Sequence, residues 1–184
     1  MVRITGGNVL LDVDFILKKS HIKENMKVAD FGCGASGHFV FPASRLVGKR
    51  GIVYALDILK TILESINKKC RQENFKNIKT IWSDLEVFKA TKIESSSLDM
   101  GFLINTLYQS SKRLEILREV IRMIKKNSKL LIVEWKESAS PLGPPVEKRV
   151  KLDLLKIGLK KLGLKEEEEF EAGQFHYGII FTKL

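Results

Sequence analysis

The chain has only two cysteines in 184 residues, Cys33 and Cys70, far apart in sequence. They match no metal-ligand spacing and are too few for the disulfide framework that small secreted domains rely on. That points to a reducing, cytoplasmic setting and to no metal site. Long apolar runs are also missing, since nothing approaches the roughly 20 residues that a membrane span needs. The first residues, MVRITGGNVLLDVDF, lack the basic start and apolar stretch of a secretory leader. A soluble protein with no membrane partner is expected. There are no internal repeats and no long linker, and the one proline-rich stretch is SASPLGPPVEKR.

The chain is rich in positive charge, with 32 basic against 22 acidic residues and a formal net charge of +10. Thirteen basic and seven acidic residues fall between positions 65 and 126, so the middle of the chain holds most of the excess. Such a balance raises a nucleic-acid partner as one possibility.

Hydrophobic patterning alternates between strand and helix. Val9, Leu10, Val13, Ile16 and Leu17 recur at helical spacing, and MKVADF then reads as a buried strand entering a glycine loop. A helical HFVFPASRLV follows, then a strand IVYAL ending at Asp57 and a helix from about Leu59 to Cys70. IKTIW, DMGFLI and KLLIVEW supply three more strands, with Leu114, Leu117, Val120, Ile121 and Ile124 striping a helix before the last. This order predicts an α/β Rossmann-like, doubly wound and mostly parallel sheet. After a helix marked by Leu152, Leu155, Leu159 and Leu162, KEEEEFEAG and QFHYGIIFTKL read as an antiparallel hairpin joined through Ala172-Gly173. The acidic Glu166 to Glu169 lie there on a solvated edge strand. One domain over 1–184 is expected, with a helical lead-in over 1–24, a ligand-binding core over 25–135 and a substrate-side loop, helix and hairpin over 136–184.

Within VADFGCGASG, the spacing Gly32-x-Gly34-x-x-Gly37 fits a loop that holds an adenine-bearing ligand, and Asp57 stands where an acid would meet a ribose. Helix N-terminal amides after such a loop suit an anion, which either a nicotinamide dinucleotide or S-adenosylmethionine supplies. The acids separate the two. Asp30 beside the loop opposes a pyrophosphate but favours an amino acid's ammonium. With Asp57 and Asp84 it puts a carboxylate at each of three successive strand ends, which suits a cationic ligand.

On these residues the chain resembles the class I S-adenosylmethionine-dependent methyltransferases. DFGCGASG is similar to their first motif, YALDI to the second, WSDL to the adenine-contacting third and MGFLINTLYQ to the fourth. The resemblance implies a seven-stranded sheet and S-adenosyl-L-methionine as cofactor. It implies cofactor contacts from Asp30, Phe31, Gly32, Cys33, Gly34, Gly37, Asp57, Ile58, Asp84, Leu85 and Asn105. A narrower similarity is to proteins related to the ubiquinone/menaquinone and arsenite methyltransferases, carried by Trp135-Lys136, Gly143-Pro144-Pro145…Arg149 and His176-Tyr177. The substrate-side candidates are His38, Tyr108 (where a histidine is common in these proteins), Arg149 as an anion anchor after the proline-rich loop, and His176.

Each residue also has a plainer reading. The glycines serve as turn residues, Asp84 and Asn105 as caps, Cys33 as a packing residue, the histidines as structural groups and Arg149 as a surface arginine. No residue is assigned as the catalytic group. The expectation is methyl transfer to a small-molecule acceptor. An RNA or protein acceptor, or a non-catalytic cofactor-binding module, are the alternatives. The basic clusters Lys68, Lys69, Arg71, Lys76, Lys79 and Arg118, Arg122, Lys125, Lys126, Lys129 are expected at the amino-terminal edge of the sheet, away from the chemistry.

Overall fold

A computed structural model describes residues 10–138 and 142–184. Val9 of the first expected helix and part of the proline-rich stretch lie outside them. The elements in chain order are α1 (Val13–Ser20), β1 (Lys27–Phe31), α2 (Val40–Val47), β2 (Ile52–Asp57), α3 (Lys60–Gln72), β3 (Ile78–Trp82) and β4 (Leu98–Ile104). They continue with α4 (Arg113–Met123), β5 (Ile124–Trp135), α5 (Leu152–Lys161), β6 (Leu164–Gly173) and β7 (His176–Lys183). One sheet holds all seven strands in the order β3-β2-β1-β4-β5-β7-β6. The first five run parallel, and β7 lies antiparallel between β5 and β6. Strand order reverses between β1 and β4, and open α/β sheets bind ligands at such a point.

Both faces of the sheet are covered, so its central strands are apolar on alternate and intervening residues alike. Ile16, Val40 and Ile66 of α1, α2 and α3 pack on one face against Val28, Phe102 and Val133. On the other face Val120 and Leu159 of α4 and α5 meet Ala29, Leu103 and Ile132. No helix among the described residues is long and apolar enough to cross a membrane.

Four details depart from the sequence reading. The helix after the glycine loop starts at Val40 rather than at His38. Ile124 opens the long strand β5 instead of ending α4, and Leu114 is exposed. The hairpin turns at Gln174-Phe175, just past Ala172-Gly173. Lys79 and Lys129 sit within β3 and β5, while Lys68, Lys69 and Arg71 close α3 and Lys76 precedes β3. Not every basic side chain is solvated decoration. Arg122 chelates Glu119 at 2.9 Å and also donates to the Ile93 and Thr91 carbonyls. Burial alone would raise the Glu119 carboxyl, but Arg122, the Lys89 and Thr91 amides and the Thr91 hydroxyl overcome it and hold it at about 2.

The outer strand β6 carries the acidic run. Lys156 of α5 bridges Glu166 and Glu169 at 2.8 and 2.7 Å, and Lys19 of α1 pairs with Glu168. Across the hairpin, the Phe170 ring fills the place of a side chain at Gly178, where a β-carbon would lie 2.3 Å from its Cζ. Gly158, inside α5, has open space instead. Gly178→Ala should therefore destabilise the protein by about 1–3 kcal/mol through overpacking. Gly158→Ala should stabilise it by about 0.5–1 kcal/mol through helix propensity. Urea denaturation of the two variants measures both signs.

Candidate functional site

The carboxyl ends of β1, β2 and β4 converge on the glycine loop. Gly32 adopts a φ of 84°, and a β-carbon there would lie 2.7 Å from the Thr106 hydroxyl oxygen. The loop can thus press directly against the turn after β4, where Thr106 Oγ1 donates to the Phe31 carbonyl at 2.9 Å. Gly34, at a φ of 63°, faces open space, and a β-carbon there would meet nothing within 4 Å. The loop amides are not a free anion cradle. Those of Gly32 and Cys33 donate to the Leu56 carbonyl at 2.9 Å, and that of Gly34 to Asp57 Oδ2 at 3.3 Å. The expected ring of helix N-terminal amides is displaced because α2 begins only at Val40.

A cleft of about 340 Å³ opens in front of this loop. Six of the expected residues line it: Gly32, Gly34, Asp57, Ile58, Asp84 and Leu85. Asp57 is oriented by the Leu59 amide at 3.0 Å, and Asp84 accepts from the Glu86 amide at 2.9 Å. Glu86 also lines the cleft and takes the Ser110 hydroxyl at 2.6 Å and Lys112 at 3.3 Å, which hold its carboxyl below the usual range. Among the described residues the lining has three carboxylates and no lysine, arginine or histidine. In a chain of net charge +10, that makes an electronegative hollow.

Other expected residues stand behind the lining. Asp30 is buried, and burial with the neighbouring Asp57 charge raises its carboxyl to about 7. Phe31 is turned away under Gly101, in the core on the α4 side. Cys33 is a buried thiol, pushed up by burial and by the Asp30 and Asp57 charges, and packs with the α2 side. Gly37 lies against Phe41 and Ile66 rather than the cleft. Asn105 is buried with a φ of 53°. For Phe31, Cys33 and Gly37 the side chain, or the place that a side chain would take, is occupied by packing.

The substrate-side residues separate in the same way. His38 is half-buried, edge-on to Phe39. Tyr108 is half-buried, its phenol raised by burial and by Glu134. Arg149 is not a free anion anchor. Its buried guanidinium donates to the carbonyls of Pro144, Lys136, Ser138 and Leu142 at 2.6–3.1 Å and lies over the Trp135 ring. It ties the loop after β5 to itself. His176 is fully buried with its ring 4.1 Å from that of Trp135, and burial, then Lys136 and Arg149, lower it to about 4. It is a neutral packing group at neutral pH and a poor proton carrier.

Sequence reasoning did not single out Glu86 and Ser110, which are hydrogen-bonded to each other in the lining, and it placed Thr106 and Gln109 only within the motif MGFLINTLYQ. The only signal for them was position, since they directly follow the residues that were picked out at the ends of β4 and β3.

A family model described as a methyltransferase domain matches residues 22–175. The chain is 26% identical over 117 residues to a demethylmenaquinone methyltransferase of Lactococcus lactis, covering 64% of this chain and 45% of that protein. It is 28% identical over 129 residues to a ubiquinone/menaquinone biosynthesis C-methyltransferase of Blochmanniella floridana, covering 70% and 49%. The chain thus spans about half the length of these curated relatives. Among solved structures, a SAM-dependent methyltransferase from Aquifex aeolicus superposes with a TM-score of 0.86 at 26% identity, covering 97% of this chain and 93% of that one. With its seven-stranded sheet, its glycine loop at the strand-order reversal and a family model over most of its length, the chain belongs to the methyltransferase-domain family.

Proposed function

We propose that the protein is an S-adenosylmethionine-dependent methyltransferase acting on a small-molecule acceptor. The observation that carries this reading is the charge of the cleft. Asp57, Asp84 and Glu86 line it without a basic side chain among the described residues, and Asp30 lies behind Asp57. Such a hollow repels a pyrophosphate and attracts a ligand bearing an ammonium and a sulfonium. The family, and the cofactor named for the Aquifex aeolicus protein, support the same choice. The names of the two curated relatives support a small acceptor, with quinone precursors as the first compounds to try. The two free cysteines, both buried, agree with a cytoplasmic location. The single sheet agrees with one domain.

S-adenosylmethionine supplies an activated methyl group whose departure leaves a neutral thioether. The protein's part is therefore to orient two reactants and exclude water. In this reading Asp57 accepts from the ribose hydroxyls, Ile58, Asp84 and Leu85 flank the adenine, and ionised Asp30 balances the ammonium. Gly34 leaves the space into which the ligand backs. Asn105, His38 and Tyr108 stand toward the acceptor, and no buried acid–base pair is required of them.

Isothermal titration tests the reading. S-adenosylhomocysteine should bind and NAD should not, and the reverse result would overturn it. Asp57→Ala should weaken binding by about 1.5–3 kcal/mol per lost charge-assisted contact while the thermal transition stays cooperative. An affinity equal to wild type would take Asp57 out of the site. Asp30 gives a pH dependence. Because its folded value is raised, the folded protein binds more protons than the unfolded chain between 3.8 and about 7, and stability falls as pH rises across that window. A cationic amino group favours the ionised form, so affinity for S-adenosylhomocysteine should rise by about tenfold between pH 5.5 and 7.5. In Asp30→Asn the profile should be flat.

A further inference from the structure

Glu134, on β5, is a buried acid that the proposed chemistry leaves unused. Its residue has no exposed surface, and it stands opposite Tyr177 in the β5–β7 ladder. Oε1 accepts the Leu107 amide at 2.6 Å, while Oε2 has no hydrogen-bond partner among the described residues. The Tyr108 and Thr106 amides lie close enough to favour its ionised form, as does the Arg113 charge, yet burial prevails and pushes the carboxyl up to about 8. Its Oε1 is the acceptor that the turn's Leu107 amide uses.

That turn is the wall of the cleft. The 3-10 segment Leu107–Gln109 follows Thr106, and Thr106, Gln109 and Ser110 all line the hollow. Arg113 grips the same turn by its carbonyls, donating to Leu107 and Ser110 at 3.1 and 3.2 Å. Glu134 is its buried grip on the amide side. Without that acceptor the Leu107 amide would be buried and unpaired, which favours a shift of the whole segment. Any such shift pulls Thr106 from its hydrogen bond to the Phe31 carbonyl, where its side chain occupies the place that a side chain at Gly32 would take.

We propose that Glu134 is a positioning residue of the cofactor cleft, holding the turn after β4 through the Leu107 amide so that Thr106 stays seated against Gly32. The inference rests on the cleft being the cofactor site, and it assigns Glu134 no contact with ligand. Its action is local and passes through Thr106, which distinguishes it from a residue that merely adds to the core.

The test is a double-mutant cycle read by titration with S-adenosylhomocysteine, combined with hydrogen exchange on the ligand-free protein. Glu134→Leu and Thr106→Val should each weaken binding about tenfold, and the double variant should be no more than about threefold worse than either. Glu134→Gln, which keeps an acceptor oxygen and the size of the neutral acid, should bind within about threefold of wild type. In Glu134→Leu the Leu107 amide should exchange at least tenfold faster, with the Ile132 and Ile179 amides unchanged. Losses that multiply independently, binding of Glu134→Leu within twofold of wild type, or an unchanged Leu107 amide would each overturn the proposal. Should Glu134→Leu fail to fold, Glu134→Ala takes its place in both arms. If the wild type itself does not bind the probe, the cofactor assignment fails. The exchange arm then decides by itself whether Glu134 holds the turn.

Discussion

The contact between Gly32 and Thr106 joins the two halves of the doubly wound sheet. One comes from the end of β1 and the other from the end of β4, the neighbouring strands between which the order of the sheet reverses. With a β-carbon position only 2.7 Å from the threonine hydroxyl, no residue but glycine fits without displacing the turn. The hydroxyl also binds the Phe31 carbonyl, so the side chain that excludes a larger residue is the one that ties the two strand ends together. The loop bends away beyond this point, and the cleft occupies the space that the bend leaves.

Electrostatics divides the molecule along the same axis. Lysines and arginines collect at helix C-termini, as in the closing turns of α3 and α5, where they complement the helix dipoles. Asp57 closes β2, and Asp84 follows β3 at the opposite edge. The division is partial, since Lys60 and Arg113 open α3 and α4 on that side and Asp99 lies near the start of β4. On the proposed reading, a ligand that carries positive charge meets the acidic cleft of an otherwise basic protein.

Most of the architecture was legible in the sequence because alternation of short apolar runs with helical stripes has few solutions. The glycine loop, Asp57, Asp84 and the closing hairpin could be read directly. Less legible were groups whose role depends on a distant partner. Arg149 after a proline-rich loop reads as an anion anchor or as a surface arginine, and the four carbonyls around its buried guanidinium make it a loop clamp instead. Glu134 sits in IVEW, a run whose two faces are both buried, so no period marks it as special. The start of β5 at Ile124 was hidden because that residue continues the helical stripe of α4 while pairing with Leu98. His176 carried chemistry by its type alone, and its packing against Trp135 took that chemistry away.

The acidic run on β6 bears on how copies of the protein meet. Among the described residues the sheet ends there in an unpaired edge, the part of an α/β fold most open to strand addition. Lys156 and Lys19 neutralise Glu166, Glu168 and Glu169 from within the same molecule, so the edge stays docked to its own helices. Glu167 and Glu171 are exposed, and they pair with Lys165 and Lys136. A strand added to this edge would meet carboxylates already committed to Lys19, Lys136, Lys156 and Lys165, so the acidic run ties the edge inward to its own molecule.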